Sequence, residues 1–302
     1  MRLDNFDLNL LVALNVLLEE RSVTRAASRM NLTQSAMSAA LARLRQAFND
    51  DILVPHGRRM ITTPLAEALG PAVAETLLRL RGLIAGAASF DPATSDRTFE
   101  IAASDYITTV LLAPLLARLR EEAPNITLAI NLPTRESAAM LGDGKLDFLL
   151  TPEPFLNRDH PRELLFEERH VVAGWAGNPV FEGVMNEEAF FSCGHVAVEI
   201  AGSGSFIETH LRSEPDRRRI AVVAPSFSIV PWLLPGTHHL ALMHRRLAHV
   251  FAPMLPLRLA EPPIALPVMR EMIQYHSARA TDQGTQWLLG RVLHAARGNE
   301  AA

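Results

Sequence analysis

The N-terminal part of the chain carries a basic, polar segment whose residue types suit contact with a nucleic acid. From Arg21 to Asn49 there are five arginines and no acidic residue, although the whole chain has a formal net charge of −4. Guanidinium groups hold phosphate oxygens, which supplies affinity without reading sequence. Gln34 can pair with adenine N6 and N7 or with another base edge. The polar residues expected at the DNA are Thr33, Gln34, Ser35 and Ser38, and the arginines expected at phosphates are Arg21, Arg25, Arg29, Arg43 and Arg45.

Three helices are predicted to position these side chains. Leucines between Asp7 and Arg21 recur at spacings of three and four, which indicates an amphipathic first helix. Ser22 is expected to cap a second helix from Val23 to Met30, and Thr33 to cap a third after the turn at Asn31-Leu32. The predicted inward residues are Leu8, Leu11, Leu14, Leu17 and Leu18 in the first helix and Met37, Ala40 or Leu41, Leu44 and Phe48 in the third. Two helices joined by a tight turn indicate a helix-turn-helix, although an ordinary helical hairpin with a solvated arginine face remains an alternative.

The next segment favours the helix-turn-helix. Asp51 to Thr63 is predicted to form two short strands around His56-Gly57-Arg58-Arg59, a hairpin with a basic tip. A helix-turn-helix followed by such a hairpin is a winged module, in which the tip lies along the backbone or in the minor groove. Arg58 and Arg59 are therefore added to the expected DNA contacts.

A long linker helix is predicted from Pro64 to about Ser89, with a bend at Gly70-Pro71. Its apolar residues recur every three to four positions: Leu65, Leu69, Val73, Thr76 or Leu77, Leu80 and Ile84. Because a lone helix must bury such a seam, we expect it to pack against its own copy in a dimer. Packing onto the chain's own second domain is the alternative.

Composition narrows the class of protein. The chain has 302 residues, of which 48% are hydrophobic and 21% charged, enough for two or three cores. Neither a secretory signal nor a transmembrane segment is recognised, so the expected location is the cytoplasm, with no membrane partner. The single cysteine, Cys193, excludes an internal disulfide.

From Phe90 onward, strands alternate with helical stretches such as Thr108 to Glu122, which predicts an α/β architecture. The predicted strands are Phe99 to Ala103, Ile126 to Leu132, Leu146 to Thr151, His195 to Ile200, Ile220 to Ala224, His239 to His244 and Val268 to His276.

The order of these segments resembles the LysR-type transcriptional regulators. The block "RSVTRAASRMNLTQSAMSAALARLRQAFNDDILVPHGRRMITTP" and the linker helix carry the resemblance in the N-terminal part. "FDPATSDRTFEIAASDY", "LDFLLTPEPF", "FFSCGHVAVE" and "DQGTQWLLGRVL" continue it to the C-terminal part. The blocks "DLNLLVALNVLLEERSVT" and "FNDDIL" are most similar to the subgroup of nodulation regulators and aromatic-catabolism activators. Ser35 departs from the family, which often has proline there, and this puts the docking geometry of the third helix in question.

The resemblance implies a fold class: an N-terminal, mainly α winged helix-turn-helix (residues 1–63), a dimerisation linker helix (64–89) and a two-lobed α/β effector-binding domain like periplasmic solute-binding proteins (90–302). One lobe is expected at about 91–164 plus 267–302 and the other at about 165–266, with two crossing strands as the hinge. It also implies a dimer of dimers that binds double-stranded operator DNA and controls the recruitment of RNA polymerase.

An effector is expected between the lobes, because ligands in such sheets bind beyond the carboxyl ends of the strands. Hydroxyls, a histidine and aromatic rings suit a small, largely apolar molecule with a phenol or carboxylate, of an aromatic or flavonoid-like kind. For single residues a structural role stays open: Asp105 as a helix cap, Phe227 as core. The candidates are Ser104, Asp105, Tyr106, Thr108, Thr151, Glu153, Gly202, Ser203, Gly204, Phe227 and His244.

Catalytic and metal chemistry find weaker support. Gly202-Ser203-Gly204-Ser205 is not the Gly-x-Ser-x-Gly nucleophile elbow. Cys193 and His195 could form a thiol site, but a buried inert cysteine fits the strand better. His238, His239, His244 and His249 lack a zinc spacing, and no cofactor or enzyme activity is expected. The rival interpretation is a solute-binding or enzymatic α/β protein with a basic N-terminal appendage.

Overall fold

The computed structural model describes residues 6–57, 59–86, 90–200, 202–211 and 217–298. The chain divides into two compact units, the first built from the N-terminal 88 residues and the second from nearly all of the rest. Arg58, residues 87–89 at the predicted end of the linker helix and the side chain of Ser203 lie outside the description.

The first unit begins with α1 (Asn9–Glu20), α2 (Val23–Arg29) and α3 (Gln34–Phe48). Both predicted caps are confirmed: the Ser22 hydroxyl accepts a hydrogen bond from the Arg25 backbone N–H, and the Thr33 hydroxyl accepts one from that of Ala36. A left-handed residue, Arg21 (φ 46°), ends α1 and starts the chain toward α2. The helix-turn-helix is therefore positioned largely by local signals.

The buried stripe of α1 agrees with the predicted one except at Leu8: Leu14 and Leu17 are buried, and Leu11 and Leu18 pack at the edge of the core. Its core face is Leu10, Ala13, Leu14 and Leu17, whereas Leu8 is 48% exposed. Both stripes have helical spacing, and the neighbouring helices decide which of them is covered. In α3 the predicted inward residues Met37, Leu41 and Leu44 are buried, and Ala40 and Phe48 pack at the edge of the same core.

The wing is β1 (Leu53–His56) paired antiparallel with β2 (Arg59–Thr62). Gly57 supplies a positive φ of 61° at its tip. Asp50 holds the base, since its Oδ1 accepts hydrogen bonds from the Ile52 backbone N–H (2.7 Å) and from the Thr63 hydroxyl (2.6 Å).

The linker helix α4 (Pro64–Gly86) runs continuously through Pro71. Val73 and Leu77 are buried in the same core as α1 to α3, and Leu77 is only 5% exposed. The prediction that Leu77 belongs to one uniform dimer seam is therefore wrong, because Leu77 packs within its own chain. Leu83 and Ile84, in contrast, are 72% and 75% exposed. The reason is that the core built with α1 to α3 covers α4 as far as Leu77.

The second unit contains two mixed sheets. Its strands are β3 (Thr98–Ala102), β4 (Thr127–Asn131), β5 (Phe148–Pro152), β6 (Arg162–Glu168), β7 (His170–Trp175), β8 (Gly194–Ile200), β9 (Ser203–Gly204), β10 (Arg219–Ala224), β11 (Leu240–His244), β12 (Leu257–Ala260) and β13 (Met269–Gln274). The helices are α5 (Asp105–Ile107), α6 (Ala113–Glu122), α7 (Ser137–Gly142), α8 (Glu187–Ser192), α9 (Phe206–Leu211), α10 (Arg245–Phe251) and α11 (Gln283–Gly298), with a π-helical stretch, Thr108–Leu112, joining α5 to α6.

The sheets define two lobes with a shared hinge. The first sheet has the strand order β4-β3-β5-β13-β6, and the second has the order β10-β8-β11-β7-β12. The chain crosses between them after β6 and again before β13, so the two predicted crossings are present. All seven predicted strands form, whereas β6, β7, β9 and β12 were missed. Because β6 belongs to the first sheet, that lobe extends to Glu168, past the expected boundary at 164.

Candidate DNA interface and effector cleft

The front of α3 presents the predicted base-reading side chains. Gln34, Ser35 and Ser38 are exposed, while Met37 on the opposite face is fully buried. The Thr33 hydroxyl caps the helix and lies 3.0 Å from the Ser35 hydroxyl. This arrangement leaves Gln34 directed by a rigid, capped helix, as reading a groove requires.

Three of these arginines form ion pairs with acidic residues, which the sequence interpretation did not assign to them. Arg25 bonds to Glu20 (Nε to Oε2, 3.0 Å), and Arg29 lies 2.6 Å from Glu19 and 3.2 Å from Glu20. Hydrogen bonds from Arg25 and then Arg29 lower the pKa of the Glu20 carboxyl. Arg43 lies 3.2 Å from Asp7. The arginine side chains of these pairs are at least half exposed, and such surface pairs contribute little to stability.

Arg45 has a positioning role in addition to its predicted phosphate contact. Its guanidinium donates to the backbone carbonyls of Asp51 and Leu53, both at 2.8 Å, and so joins α3 to the start of the wing. Arg59, at the first position of β2, is exposed. The helix and the basic hairpin therefore form one rigid surface.

A cavity of about 250 Å³ opens between the two lobes of the second unit. The structure brings six of the predicted residues to its wall: Ser104, Tyr106, Thr151, Gly204, Phe227 and His244. The predictions missed Pro133, Thr134, Arg135, Ser137, Ala138, Leu149, Leu150, Pro152, Phe155, Ile200, Ser205, Phe206, Met269 and Glu271. Residues 133–138 follow the carboxyl end of β4, so the rule that ligands bind beyond strand ends could have found them. Glu271 lies inside β13, and nothing in the sequence marks it as a cavity residue.

Asp105 holds the lobes together and does not line the cavity. Its two carboxylate oxygens accept hydrogen bonds from the backbone N–H groups of Phe227 (3.2 Å) and Ser228 (2.6 Å) in the other lobe. The cap of α5 is Ser104, whose hydroxyl accepts from the Ile107 N–H. The suggestion that Asp105 is the cap is therefore wrong, because its side chain bonds to the other lobe.

Three other predicted residues are not brought to the cavity wall. The Thr108 hydroxyl donates to the Ser104 carbonyl at 2.9 Å. The Gly202 carbonyl accepts a hydrogen bond from Arg135 at 3.1 Å. Glu153 pairs with Arg270 at 2.9 Å. Each of these groups is engaged with another part of the protein instead.

A stack of rings forms the inner wall of the cavity. The His244 imidazole lies 3.9 Å from the Tyr106 ring and nearly parallel to it, with Phe227 edge-on to both. Burial lowers the pKa of His244 well below its usual value and that of the adjacent His170 to about 4. Both imidazoles are thus uncharged at neutral pH. Among the described residues, the Nδ1 atom of His244 has no hydrogen-bond partner.

A carboxylate lies behind this wall. The Tyr106 hydroxyl donates to Glu168, which also accepts from the Arg169 backbone N–H at 2.9 Å. The Arg246 guanidinium is 3.5 Å from the same carboxylate. Burial raises the pKa of Glu168, against the opposing effects of Tyr106 and Arg246. Arg169 and Arg246 hold the Glu168 carboxylate, and the hydrogen bond to this carboxylate fixes the Tyr106 ring and with it the stack.

Among the residues described, the arrangement needed for a Cys193–His195 thiol site or for a metal site is not seen. Cys193 is only partly buried, and His195 is engaged through Nε2 with the Phe190 carbonyl at 2.9 Å. Burial lowers the pKa of His195 to about 4. Within the described ranges, no three His, Cys, Asp or Glu residues are grouped as metal ligands, and no helix is long and apolar enough to cross a membrane.

Comparison with known proteins gives full-length matches. The family model for bacterial regulatory helix-turn-helix proteins of the lysR family matches residues 8–67, and the model for the LysR substrate binding domain matches residues 93–297. Nodulation protein D 3 of Rhizobium meliloti (strain 1021) is 39% identical over 95% of this chain and 93% of its own length. Nodulation protein D 2 of Sinorhizobium fredii (strain NBRC 101917 / NGR234) is 41% identical over 97% and 96%. A solved structure of a probable transcriptional regulator from Pseudomonas aeruginosa has a TM-score of 0.65 at 31% identity, covering 96% of this chain and 97% of that one.

Proposed function

The chain belongs to the LysR family of bacterial regulators, and from that membership we propose that it is a cytoplasmic transcription activator controlled by a small, aromatic, flavonoid-like effector. The DNA-binding and effector-binding domains of a regulator are both present, and the enzymatic alternative is therefore wrong. The observation that carries the effector proposal is the cavity, whose lining includes a stack of uncharged rings.

DNA binding is tested first, by a gel-shift assay at two salt concentrations with DNA from beside the protein's own gene. Phosphate contacts release counterions, so affinity should fall steeply between the two conditions. Preference for this DNA over random DNA would support operator binding, and equal affinity for both would contradict it.

Gln34→Ala is expected to cost about 1–3 kcal/mol of specific binding while leaving nonspecific binding nearly intact. The exposed position of Gln34 at the front of the capped α3 is the reason. Gln46→Ala is the matched control, because Gln46 is an exposed glutamine near the opposite end of the same helix. An equal loss on operator and random DNA would refute base reading by Gln34.

Arg59→Ala at the wing is expected to weaken binding to all sequences alike and to reduce the slope of log affinity against log salt by about one. Arg79→Ala is the control, since Arg79 is exposed on α4 and pairs with Glu75 away from the proposed surface. A slope unchanged by Arg59→Ala would remove this residue from the phosphate contacts. The same contact for Arg58 stays a prediction.

We place the regulatory change at the hinge. Asp105 bonds across the lobes directly beside Tyr106 and Phe227, both of which line the cavity. A ligand with different affinity for two lobe arrangements shifts the population between them. In a dimer of dimers, this shift would change the spacing and bend of the DNA between two sites and so the recruitment of RNA polymerase.

A further inference from the structure

Glu271 is a polar group of the cavity that the fold leaves unused. It lies on β13, lines the cavity and is only 1% exposed. Among the described residues its carboxyl group makes no hydrogen bond or ion pair, and the Nδ1 atom of His244, which lines the same cavity, is buried without a partner. A buried carboxyl group that lines a cavity without a protein partner is costly, and a bound molecule that completes its hydrogen bonding would remove that cost.

The strand register places Glu271 beside a second glutamate, Glu168, and the two carboxyl groups differ in their hydrogen-bond donors. In the β13–β6 pair, Glu271 is opposite Phe166 and Met269 is opposite Glu168, so the two carboxyl groups are diagonal neighbours on one face. Glu168 has the donors: the Tyr106 hydroxyl, the Arg169 N–H and the Arg246 guanidinium. Glu168 is therefore the member of the pair whose ionised form the fold stabilises.

Glu271 has no comparable support. Burial, and then the charge of Glu168, raise the pKa of the Glu271 carboxyl well above its usual value. Two adjacent buried carboxyl groups do not both ionise when only one of them has donors. An un-ionised carboxylic acid has an O–H group and can donate a hydrogen bond.

The remaining wall does not favour an anion. Among the described residues that line the cavity, Arg135 and Glu271 are the only ones of the Arg, Lys, Asp or Glu type. Arg135 is exposed and bonds to the Gly202 carbonyl, while His244 is uncharged. A carboxylate at the inner wall would face Glu271 with no cation beside it.

We propose that Glu271 is a specificity-determining residue whose un-ionised carboxyl group donates a hydrogen bond to an uncharged oxygen of the ligand. The cavity then accepts neutral aromatic compounds with carbonyl or hydroxyl groups and rejects their carboxylates. This inference rests on the proposed function of the cleft and narrows the expected ligand, for which the sequence left a phenol or a carboxylate open.

The test titrates the full-length protein with a matched pair of probes, methyl para-coumarate and para-coumarate, by calorimetry. The wild type is expected to bind the ester at least about tenfold more tightly than the acid. Glu271→Gln keeps an uncharged donor and should bind the ester within about threefold of wild type, whereas Glu271→Met, of similar volume, should lose about tenfold. Thermal melting of each variant checks that it is folded.

An infrared measurement tests the ionisation without a ligand. The difference spectrum of wild type minus Glu271→Gln at neutral pH should contain the C=O stretch of an un-ionised carboxylic acid. Absence of this band, tighter binding of the acid, or equal loss of the ester in the two variants would each overturn this inference alone. If neither probe binds, or if Phe227→Ala leaves ester binding unchanged, the ligand site is not this cleft and the proposed function of the cleft fails with it.

Discussion

Leu77→Asp is expected to unfold the N-terminal unit and abolish DNA binding, whereas the double change of Leu83→Asp with Ile84→Asp leaves that unit folded and prevents dimer formation. Leu77 is 5% exposed in the core shared by α1, α3 and α4, and a charge placed there costs more than about 4 kcal/mol. Leu83 and Ile84 are among the most exposed large apolar residues described, so they carry the proposed contact with a second copy.

Circular dichroism and light scattering separate these outcomes. Leu77→Asp should lower the melting temperature of the first unit, while the double variant should melt normally but scatter as a smaller species that binds half-sites without cooperativity. Leu77→Met is the volume-conserving control. A folded Leu77→Asp monomer would show that Leu77 lies in the dimer seam after all. The double variant with the wild-type mass would place the dimer contact elsewhere.

Phe227→Ala and His244→Ala are expected to weaken the response to effector far more than operator binding. Phe227 contacts both Tyr106 and His244 edge-on, and truncating a ring in such a pocket costs about 2 kcal/mol or more, equivalent to roughly a thirtyfold higher half-maximal effector concentration. His244→Ala removes the partner stacked on Tyr106 and an unpaired ring nitrogen. The winged module has its own core, and losing a pocket side chain should not unfold it.

The effector for this measurement comes from a thermal-shift screen of small aromatic compounds, since bound ligand raises the melting temperature. Phe191→Ala and His238→Ala are the matched controls, because neither residue lines the cavity. If Phe227→Ala and His244→Ala bind the operator normally and respond at the wild-type effector concentration, the effector site lies outside this cleft.

The local architecture of the DNA-binding module followed from the sequence. Ser22 and Thr33 cap the helices they were expected to cap, and Gly57 sits at the tip of the predicted hairpin. Each of these features depends on hydrogen bonds or dihedral angles a few residues apart, which the residue types themselves determine. Six of the twenty residues that line the cleft were named for a related reason: they lie at or beyond the carboxyl ends of recognisable strands.

Contacts distant in sequence decided the rest. Periodicity gave α4 one continuous apolar seam, but only packing within the N-terminal unit separates buried Leu77 from exposed Ile84 in that seam. Asp105 looked like a ligand contact or a cap, and the other lobe makes it a bond across the hinge. Glu271 is an unremarkable strand residue until the β13–β6 register places it beside Glu168 and the cavity. A side chain's type and spacing determine the helix or strand that carries it, whereas its burial, charge state and partners depend on which distant segments pack against it, and tertiary structure alone supplies those.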